Sequence, residues 1–483
     1  MNLNQSTYMF DMILFELQDV VGREHVSIKS ADKETYSIDY FWISEMWHDR
    51  QKGRDITRPT ADFIVHPENA NEVSRILKIA NTYKIPVTTW GGGSGSQGGA
   101  LPVFGGIILD TKRMDKVYNI DQKSMLVEVG TGIIMQHLEW ELAKFGLSTM
   151  HDPASANCAT VGGFIAHRGT GVLSTKYGKI EDMIVNMEVV LPTGEIINSL
   201  PVPKTACGPD LNQLFIGSEG TFGIVTKVTL TIHRLPEARR FRAYIFKDLA
   251  TGLRVGQRLM EENLQPAVIR LYSESETKEV VKKVLGIEKE GAYMVFGFDG
   301  KTEMAELQLK YGMAIAAEYE GEDLGAELGQ QWWENRYKFF FPPYMFSLPQ
   351  CFGTLDTVAT FSTIEAIFNA MKEVVETKYP MARFIGHFSH WFSWGTMLYA
   401  RFIIDTPPQD PHEVLYLHNS IWNDCLRAAM KEGGVLNEHH GIGLKLSRLM
   451  PELYGNSFEI LKQLKKTLDP NGIMNPGKMG FGV

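Results

Sequence analysis

Several features are missing from this chain of 483 residues, and each absence argues against a class of protein. No window approaches 18 consecutive apolar residues, so no membrane span is expected. The N-terminus lacks the charged-then-apolar pattern of a secretory signal peptide. The only cysteines, Cys158, Cys207, Cys351 and Cys425, lie far apart, so neither a zinc site nor a disulfide framework is indicated. We therefore expect a cytoplasmic protein in a reducing compartment.

Basic residues are fewer than acidic residues in this chain. The chain has 48 Lys and Arg against 57 Asp and Glu, which gives a net charge of −9. Nothing in this balance favours a nucleic-acid partner or an anionic membrane surface, and we expect neither. Hydrophobic residues make up 44% and charged residues 22%, as in ordinary globular proteins. The length predicts two or three domains.

Glycine, in contrast, is concentrated in two stretches, Gly91–Gly99 and Gly162–Gly171. The first lacks the Gly-Lys-Ser/Thr ending of an ATP-type phosphate loop. A Rossmann fingerprint would open directly into a helix, whereas this loop continues into Leu101-Pro102 and a predicted strand. Backbone this rich in glycine can approach a ligand closely and aim successive N–H groups at one anion. Two such loops in one domain predict a long ligand with a pyrophosphate in its middle.

The spacing of apolar residues predicts an α/β pattern from Ala61 onward. In the first region we expect strands over 62–65, 85–89, 106–110, 125–129, 187–191 and 224–232, and helices over 69–83 and 135–145. Leu235-Pro-Glu is a natural boundary. A second α/β region follows it, with predicted helices over 249–264 and 303–319 and aromatic-rich stretches over 332–352 and 384–394.

Several motifs together resemble the vanillyl-alcohol-oxidase-type (PCMH-type) FAD flavoproteins, from about Asp62 to Lys478. The first glycine loop is similar to the pyrophosphate loop of glycolate and D-lactate dehydrogenases. Lys176-Tyr-Gly-Lys-Ile-Glu-Asp, Cys207-Gly-Pro-Asp and Gly217-Ser-Glu-Gly-Thr-Phe-Gly resemble alkyldihydroxyacetonephosphate synthases. Asn437-Glu-His-His-Gly-Ile-Gly is similar in kind to both branches.

The resemblance implies an α+β fold, in which a PCMH-type FAD-binding domain of two α/β subdomains carries an α/β cap of the FAD-linked oxidase C-terminal type. Residues 1–60 would form a lead-in packed on the FAD domain, and residues 61–236 the FAD-binding domain itself. Residues 237–430 would form the cap that binds substrate. Residues 431–483 would be a C-terminal segment that returns to the FAD domain.

The same resemblance implies FAD as the cofactor, bound without a covalent link. Relatives with a histidyl link carry histidine where this chain has Ser94. Cys158 is close to where doubly linked relatives attach a sulfur, although a small apolar core cysteine is the alternative interpretation. The expected FAD contacts are Thr89, Trp90, Gly91, Gly92, Gly93, Ser94, Gly95, Ser96, Gln97, Pro153, Ala154, Ser155, Cys158, Thr160, Gly162, Gly163, His167, Arg168, Gly169, Thr170, Glu219, Gly220, Gly223, Ile224, Val225 and Asn475.

In the synthase branch, a tyrosine acts in proton transfer and three consecutive histidines lie near the flavin. By that resemblance Tyr399 is the tyrosine, His439 and His440 are two of the histidines, and Glu438 replaces the first. Arg270 matches an arginine of functional importance, and Arg401 or His439 is expected to stabilise a developing oxyanion. The catalytic candidates are therefore Tyr399, His439, His440, Arg270 and Arg401, and the substrate-pocket candidates are Tyr344, Phe346, His387, His390 and Trp391.

The arginine that grips the substrate phosphate in the synthase branch is missing, and Phe346 most simply occupies its place. Phenylalanine offers no donor, so a phosphate buried there would lose hydration without compensation. The aromatic stretch over 332–352 favours a neutral, apolar or aromatic substrate, unless these rings only form the core of the cap.

Four histidines, His387, His390, His439 and His440, could cluster around zinc or manganese. The metal-dependent hydroxy-acid dehydrogenase branch, however, follows its first histidine with Gly-Asp-Gly-Asn and a second histidine. Only the first of these is present here, in Gly386-His387. We predict no metal ion.

These motifs lead to one main functional hypothesis: an FAD-dependent dehydrogenase or oxidase that moves a hydride from a 2-hydroxy acid, alcohol or phenol to flavin N5. One alternative is a redox-neutral ether-lipid enzyme similar to alkyldihydroxyacetonephosphate synthase. The other is a flavoprotein subunit of an electron-transfer assembly. We expect a small-molecule substrate, an electron acceptor that is oxygen, a quinone or an electron-transfer flavoprotein, and a homodimer.

Overall fold

The computed structural model describes residues 3–40, 60–340, 343–344, 347 and 349–482. In its N-terminal half the helices are α1 (Leu3–Val21), α2 (Ser30–Thr35), α3 (Ala70–Tyr83), α4 (Met135–Ala143), α5 (Val161–His167), α6 (Ser174–Tyr177), α7 (Ile180–Met183) and α8 (Asn212–Phe215). The strands are β1 (Val26–Ser27), β2 (Phe63–Val65), β3 (Val87–Trp90), β4 (Ile107–Asp110), β5 (Val117–Asp121), β6 (Leu126–Gly130), β7 (Leu147–Ser148), β8 (Ile184–Val190), β9 (Ile196–Asn198), β10 (Ile224–Thr231) and β11 (His233–Arg234).

The first sheet has the order β1-β2-β4-β3. Strand β4 pairs in parallel with both β2 and β3, and β1 pairs with β2 in the antiparallel direction. Helix α3 connects β2 to β3, as the predicted strand–helix–strand pattern requires. It begins at Asn69, whose side chain accepts from the backbone of Glu72, and ends at Lys84 in the left-handed conformation. Its apolar face and α1 cover the sheet.

The second sheet has the order β5-β6-β10-β8-β9 and is antiparallel throughout. A short pair, β7 and β11, lies beside it. Helices α4 and α5 pack on its buried face, where they bury Leu138, Leu142, Phe164 and Ile165. The helices and strands predicted in this half of the chain are confirmed within a few residues of their ends. The second glycine stretch differs from expectation, because Gly162 and Gly163 lie in the first turn of α5.

The cap is one antiparallel sheet of seven strands, in the order β15-β12-β14-β13-β17-β18-β16. Its strands are β12 (Ala238–Phe246), β13 (Val268–Tyr272), β14 (Ala292–Gly300), β15 (Glu322–Leu324), β16 (Cys351–Thr360), β17 (Ala382–Trp391) and β18 (Gly395–Ile404). Its helices are α9 (Leu249–Glu261), α10 (Glu274–Glu276), α11 (Lys282–Leu285), α12 (Thr302–Glu318), α13 (Gly325–Asn335), α14 (Ile364–Lys378) and α15 (Pro411–Lys431).

The two faces of this sheet have different roles. One face carries the largest apolar core of the protein and is covered by α9, α12, α14 and α15. The other face carries Arg270, His387, Tyr399 and Arg401 and is turned toward the N-terminal half of the chain, where Met150, Val172 and Leu173 pack against it. Because side chains alternate along a strand, residues two apart, such as Tyr399 and Arg401 on β18, share this face.

After α15 the chain runs back to the first sheet through α16 (Met450–Tyr454) and α17 (Phe458–Leu468). Val87 N donates to Ile473 O at 2.7 Å, and Asn475 N donates to Val87 O at 2.8 Å, so the end of the chain extends the sheet beyond β3. Among the described residues, none of the helices has the length and apolar character that a bilayer crossing would need.

Candidate active site

A deep cleft runs between the first and second sheets. It is lined by Thr89, Gly91, Gly92, Gly93, Ser94, Gly95, Gln97, Gly99, Ala100, Thr111, Thr131, Ala159, Thr160, Gly162, Gly163, Ala166, His167, Phe215, Ser218, Glu219, Gly220, Gly223, Ile224, Val225, His440 and Gly443. Both glycine stretches therefore border one cavity. Its far end reaches His440, which belongs to the segment after the cap.

At two of its glycines the lining backbone is packed so closely that an added side chain would collide with a neighbour. A Cβ on Gly92 would lie 2.1 Å from the carbonyl oxygen of Cys158, and one on Gly91 would lie 2.4 Å from Thr160 Oγ1. The loop after β3 thus lies directly on the segment before α5, with bare backbone facing the cavity.

Polar atoms of cleft-lining residues and of residues near them in the chain also lack partners. Thr89 Oγ1, Ser96 Oγ, Thr170 Oγ1 and both amide atoms of Gln97 are buried without a hydrogen bond among the described residues. Buried polar groups are normally paired, so these atoms need a polar ligand. A cavity lined by glycine backbone with unpaired hydroxyl and amide groups fits the long, phosphate-bearing FAD molecule.

Some predicted FAD contacts do not line the cleft: Trp90, Ser96, Pro153, Ala154, Ser155, Cys158, Arg168, Gly169, Thr170 and Asn475. Trp90 packs against Tyr36 and the core beneath the first sheet instead. Asn475 Nδ2 donates to Gly99 O and Glu219 O, so its side chain connects two cleft loops. Cys158 is exposed, so its interpretation as a core cysteine is wrong, and partial burial raises the pKa of its thiol. The absence of a covalent link stays a prediction.

Glu219 connects this cleft to the segment after the cap. Its carboxylate accepts from the backbone N–H groups of Ile442 and Gly443. Burial outweighs these hydrogen bonds and the nearby Lys478, and it raises the pKa of Glu219 to about 7. Glu219 therefore titrates in the physiological range while it holds the loop that carries His439 and His440.

The raised pKa of Glu219 predicts that the stability of the protein depends on pH. Native Glu219 keeps its proton up to about pH 7, whereas the ordinary carboxyl releases it near 4.5, so the native state binds more protons between these values. The free energy of unfolding should therefore fall as pH rises through this window, by at most about 3 kcal/mol from this group. We expect Glu219→Gln to remove that decline, measured by urea unfolding in saturating FAD. Exposed Glu413→Gln is the control, and an unchanged slope in Glu219→Gln would contradict the assignment.

On the cap side, three side chains form a continuous hydrogen-bonded series. Tyr399 OH lies 3.5 Å from His440 Nε2, and His440 Nδ1 lies 2.7 Å from Asp356 Oδ1. Asp356 is opposite Tyr399 in the pairing of β16 with β18, and it is completely buried. No motif pointed to Asp356, because it lies 84 residues before His440 and only the folded chain brings the two together.

The protonation states in this series follow from its surroundings. Burial, despite Asp356, lowers the pKa of His440, so its imidazole is neutral at pH 7. The carboxylate of Asp356 keeps the proton on Nδ1, and Nε2 is left as an acceptor. Burial, partly offset by Arg401, raises the pKa of Tyr399 to about 12, so its hydroxyl stays protonated.

His439 lies beside His440, with ring centroids 3.9 Å apart, but its partners differ. Its Nδ1 is 2.8 Å from Glu438 Oε2 and 3.3 Å from Asp356 Oδ2. Burial alone would lower the pKa of His439, but the two carboxylates outweigh it and raise the pKa to about 9. Lys179, which the sequence analysis also missed, lies 2.9 Å from Glu438 Oε1.

A second buried group lies deeper on the same face of the cap sheet. His387 Nδ1 is 3.0 Å from Glu276 Oε1, and Arg401 Nη2 is 3.5 Å from the same oxygen. The His387 ring stacks on Tyr399 at 4.9 Å, and the Arg401 guanidinium lies 5.0 Å from the Tyr399 ring. Burial favours the neutral acid of Glu276, but His387 and Arg401 outweigh it and lower its pKa.

Arg270 lies on this face, and no described residue supplies a counter-ion for it. It is 4% exposed, and among the described residues it makes no hydrogen bond or ion pair. Its electrostatic neighbours are Tyr272, Tyr399, Tyr337 and Arg401. An unpaired buried guanidinium is costly, so the arrangement leaves a place for an anion.

The structure does not place all of the substrate-pocket candidates on the same face of the cap sheet. His387 and His390 both face the cleft side, although residues three apart on a strand normally face opposite ways. A bulge between Phe388 and Trp391 makes this possible. Trp391 lies instead on the opposite face, against Gly256 and Phe361, so its prediction as a pocket residue is corrected. Phe346 lies outside the described residues.

Tyr344 is half-buried, and no contact of its side chain supports or contradicts its predicted role. Two of the aromatic residues near it, Trp332 and Phe339, belong to the core of the cap. Phe340, by contrast, lies 6.0 Å from Tyr399 and 6.3 Å from His387 between ring centroids. The aromatic stretch therefore combines core residues with a wall of the site.

His151 is a further residue that the sequence analysis did not identify. It is 2% exposed, and neither ring nitrogen has a partner among the described residues. Burial, together with His167, His390 and Lys179, lowers its pKa to about 3, so the ring is neutral. Its position directly before the predicted flavin-lining segment at Pro153 was the available signal.

Two sets of side chains bring possible metal-ligand atoms within 4.8 Å of one another: Asp356 with His439 and His440, and His390 with Glu438 and His439. The carboxylates missing from the expected motif are thus supplied by Asp356 and Glu438. In both sets histidine nitrogens already pair with these carboxylates, and Lys179 pairs with Glu438. We interpret them as hydrogen-bonded pairs of side chains, and the absence of a metal ion stays a prediction.

The fold and the glycine-lined cleft define an FAD-binding flavoprotein. Residues 61–199 match the family described as FAD binding domain, and residues 235–479 match that described as FAD linked oxidases, C-terminal domain. The chain belongs to the FAD-linked oxidases, its cofactor is FAD, and it is an enzyme of the oxidoreductase type. The predicted domain boundaries at 60, 236 and 430 stay predictions.

Three relatives show the range of this family. The chain is 30% identical to the FAD-linked oxidoreductase YgcU of Escherichia coli (strain K12), covering 96% of this chain and 97% of the relative. It is 28% identical to alkyldihydroxyacetonephosphate synthase of Trypanosoma brucei brucei, covering 96% and 80%. It is 27% identical to the mitochondrial D-lactate dehydrogenase [cytochrome] of Arabidopsis thaliana, covering 86% and 73%.

Solved structures confirm the PCMH-type fold. An alkyldihydroxyacetonephosphate synthase superimposes with a TM-score of 0.77 at 25% identity, over 96% of this chain and 84% of that one. p-Cresol methylhydroxylase superimposes with a TM-score of 0.75 at 18% identity, over 98% and 97%. The α+β fold class and the resemblance inferred from the motifs are therefore confirmed.

Proposed function

We propose that this flavoprotein is a dehydrogenase or oxidase that oxidises the C–OH group of a small hydroxyl-bearing substrate, with a 2-hydroxy acid as the favoured class. The observation that carries this proposal is Arg270, a buried guanidinium on the face that holds Tyr399, for which the described part of the chain offers no counter-ion. A substrate carboxylate would supply the missing charge and gain strong, charge-assisted hydrogen bonds. This differs from the neutral substrate that the missing phosphate-binding arginine suggested.

Tyr399 and the residues around it relay and accept the proton of the substrate hydroxyl. When bound, FAD supplies the two-electron oxidant that accepts a hydride equivalent. Tyr399, which stays protonated, relays the proton of the substrate hydroxyl to Nε2 of neutral His440. Asp356 keeps the other nitrogen of His440 protonated and stabilises the imidazolium that results. The two positive charges nearby, on partly exposed His439 and buried Arg401, stabilise negative charge that develops on the substrate oxygen.

An anaerobic absorbance titration of the purified yellow protein tests the reaction class. The panel contains 2-hydroxy acids, benzylic alcohols and 4-alkylphenols, with an acyl-dihydroxyacetone phosphate as the contrast. Bleaching of the oxidised flavin band by a 2-hydroxy acid would support the proposal. Bleaching only by a neutral alcohol or phenol would keep the oxidoreductase and reject the carboxylate assignment. Alkyl-for-acyl exchange on the phosphate ester, without bleaching, would establish the redox-neutral alternative.

Arg270→Met tests the carboxylate assignment separately. Loss of one charged hydrogen-bonding partner costs about 1.5–3 kcal/mol, so KM for a 2-hydroxy acid should rise about 10- to 100-fold. FAD content and oxidation of any neutral alcohol should change little, as measured by steady-state kinetics. Arg240→Met is the matched control, because Arg240 pairs with Glu306 on the exterior of the cap. An equal loss for both substrate classes would contradict a specific carboxylate contact.

Several expectations remain part of this proposal. The acceptor is oxygen, a quinone or an electron-transfer flavoprotein, and the assembly is a homodimer located in the cytoplasm without a nucleic-acid partner. Stable co-purification of a second, different chain would favour the electron-transfer subunit instead.

A further inference from the structure

Glu438 is a buried carboxylate that replaces the first histidine of the synthase-like run, and it has several partners. Its Oε2 lies 2.8 Å from His439 Nδ1 and 3.2 Å from His390 Nδ1. Its Oε1 lies 2.9 Å from Lys179 Nζ. The carboxylate therefore connects two histidines of the cap side to a lysine of the FAD-binding half.

Lys179 fixes the orientation of this carboxylate. Besides the ion pair, Lys179 Nζ donates to the backbone carbonyl of Glu438 at 2.9 Å. Two contacts to the same residue leave the carboxylate little freedom to rotate, so Oε2 stays directed at the imidazoles. Lys179 is 8% exposed and begins helix α7, so the pair is shielded from solvent screening.

At His439 the two carboxylates, Glu438 and Asp356, converge on one nitrogen. Opposite charges within about 4 Å favour the cationic form of an imidazole. With Nδ1 occupied by the carboxylates, Nε2–H is the donor that remains, and among the described residues none accepts from it. The charged and titratable groups that face His439 are Asp356 from β16, His390 from β17, Tyr399 from β18, His167 from α5, Lys179 before α7, and the adjacent Glu438 and His440.

We propose that Glu438, oriented by Lys179, is a positioning residue that holds His439 as an imidazolium with its Nε2–H free for a ligand, next to neutral His440. The two adjacent histidines then have opposite roles near neutral pH, His439 as a cationic donor and His440 as an acceptor. Neighbouring groups whose surroundings separate their pKa values commonly divide acid and base roles in this way. The use of the donor for an oxyanion rests on the proposed function, but the charge state of His439 does not.

The direct test is a pH titration of the histidine side chains by NMR in the FAD-loaded protein, with carbon-13 at the histidine Cε1 positions. The His439 signal is assigned by its loss in His439→Gln, and exposed His137 serves as a reference within each spectrum. We expect wild-type His439 to titrate with a midpoint near 9. In Glu438→Gln the midpoint should fall by about 1–3 pH units, because the amide keeps the shape and removes the charge.

Glu181→Gln is the matched control. Glu181 contacts Lys179 at 3.4 Å but does not touch His439, so this variant should leave the His439 midpoint in place. A wild-type midpoint below neutrality would overturn the proposal, and so would an unchanged midpoint in Glu438→Gln. If Glu438→Gln does not fold, the wild-type midpoint alone still decides.

A kinetic readout separates this inference from the proposed function. In the wild type, flavin reduction by substrate should lose rate as pH rises through the midpoint of His439. In Glu438→Gln the rate of flavin reduction should fall at a lower pH, and the difference in pH should equal the shift of the NMR midpoint. A shifted NMR midpoint without any reducing substrate would reject the proposed function and keep the role of Glu438. If a substrate reduces the flavin but the NMR midpoint of His439 does not shift in Glu438→Gln, the proposed function stands and the role of Glu438 is rejected.

Discussion

Gly92→Ala is expected to lose FAD while it keeps its fold. The added Cβ would lie 2.1 Å from the carbonyl oxygen of Cys158, which is backbone and cannot turn away. The loop after β3 must therefore move, and this movement changes the width of the cleft that the glycine stretch lines. Overpacking of this kind costs about 1–3 kcal/mol, which corresponds to roughly a 10- to 100-fold weaker cofactor. Bound flavin per protein after gel filtration, and FAD titration of the apoprotein, would measure the loss.

Gly146→Ala is the control for this experiment. Gly146 lies in the turn after α4, and a Cβ there would meet no atom within 4 Å. Its φ of 69° makes alanine strained by about 1 kcal/mol, so this variant has the backbone cost of a glycine replacement without touching the cleft. It should keep its FAD. Full retention of FAD by Gly92→Ala, at the affinity of the wild type, would show that the cofactor does not depend on this close packing.

The fold was predictable from the sequence where short-range patterns determine it. The apolar spacing over 69–83 gave α3 within one residue, because Asn69 caps the helix and Lys84 ends it. The cap was harder to predict. Its seven-stranded sheet depends on pairings between distant segments, such as β13 with β17, which no local pattern reports. The aromatic stretch over 332–352 likewise did not show which rings form core and which face the site.

The site was predictable as a set of motifs but not as a hydrogen-bonded arrangement. The glycine loops, Tyr399 and the pair His439–His440 carry recognisable signals. Asp356 and Glu276 carry none, since each is one acid in an unremarkable segment. Asp356 of β16 contacts His440 after the cap, and Glu276 of α10 contacts His387 of β17, so each contact joins segments that are distant in the sequence. The bulge in β17 could not be predicted from the sequence either. Because of it, His390 faces the site and Trp391 lies on the opposite face of the sheet.

Tyr399→Phe is expected to slow flavin reduction by substrate about 10²- to 10⁴-fold, the usual range for removal of a proton-transfer group. The phenyl ring can keep its stack on His387 at 4.9 Å, so packing and FAD content should be preserved. Only the hydroxyl that lies 3.5 Å from His440 Nε2 is lost. Stopped-flow absorbance under anaerobic conditions would measure the rate. The substrate Kd should change far less, because the hydroxyl acts on the proton and Arg270 on the carboxylate.

The matched control is Tyr379→Phe, which removes a phenol hydroxyl from the covered face of the cap. Tyr379 follows α14 and donates to Asp424 at 3.0 Å, so the variant loses a comparable hydrogen bond without touching the site. Its rate of flavin reduction should equal that of the wild type. If Tyr399→Phe reduces flavin as fast as Tyr379→Phe does, the proton passes to His440 directly, and Tyr399 serves only as a wall of the pocket. The series Tyr399–His440–Asp356 would then begin at the histidine.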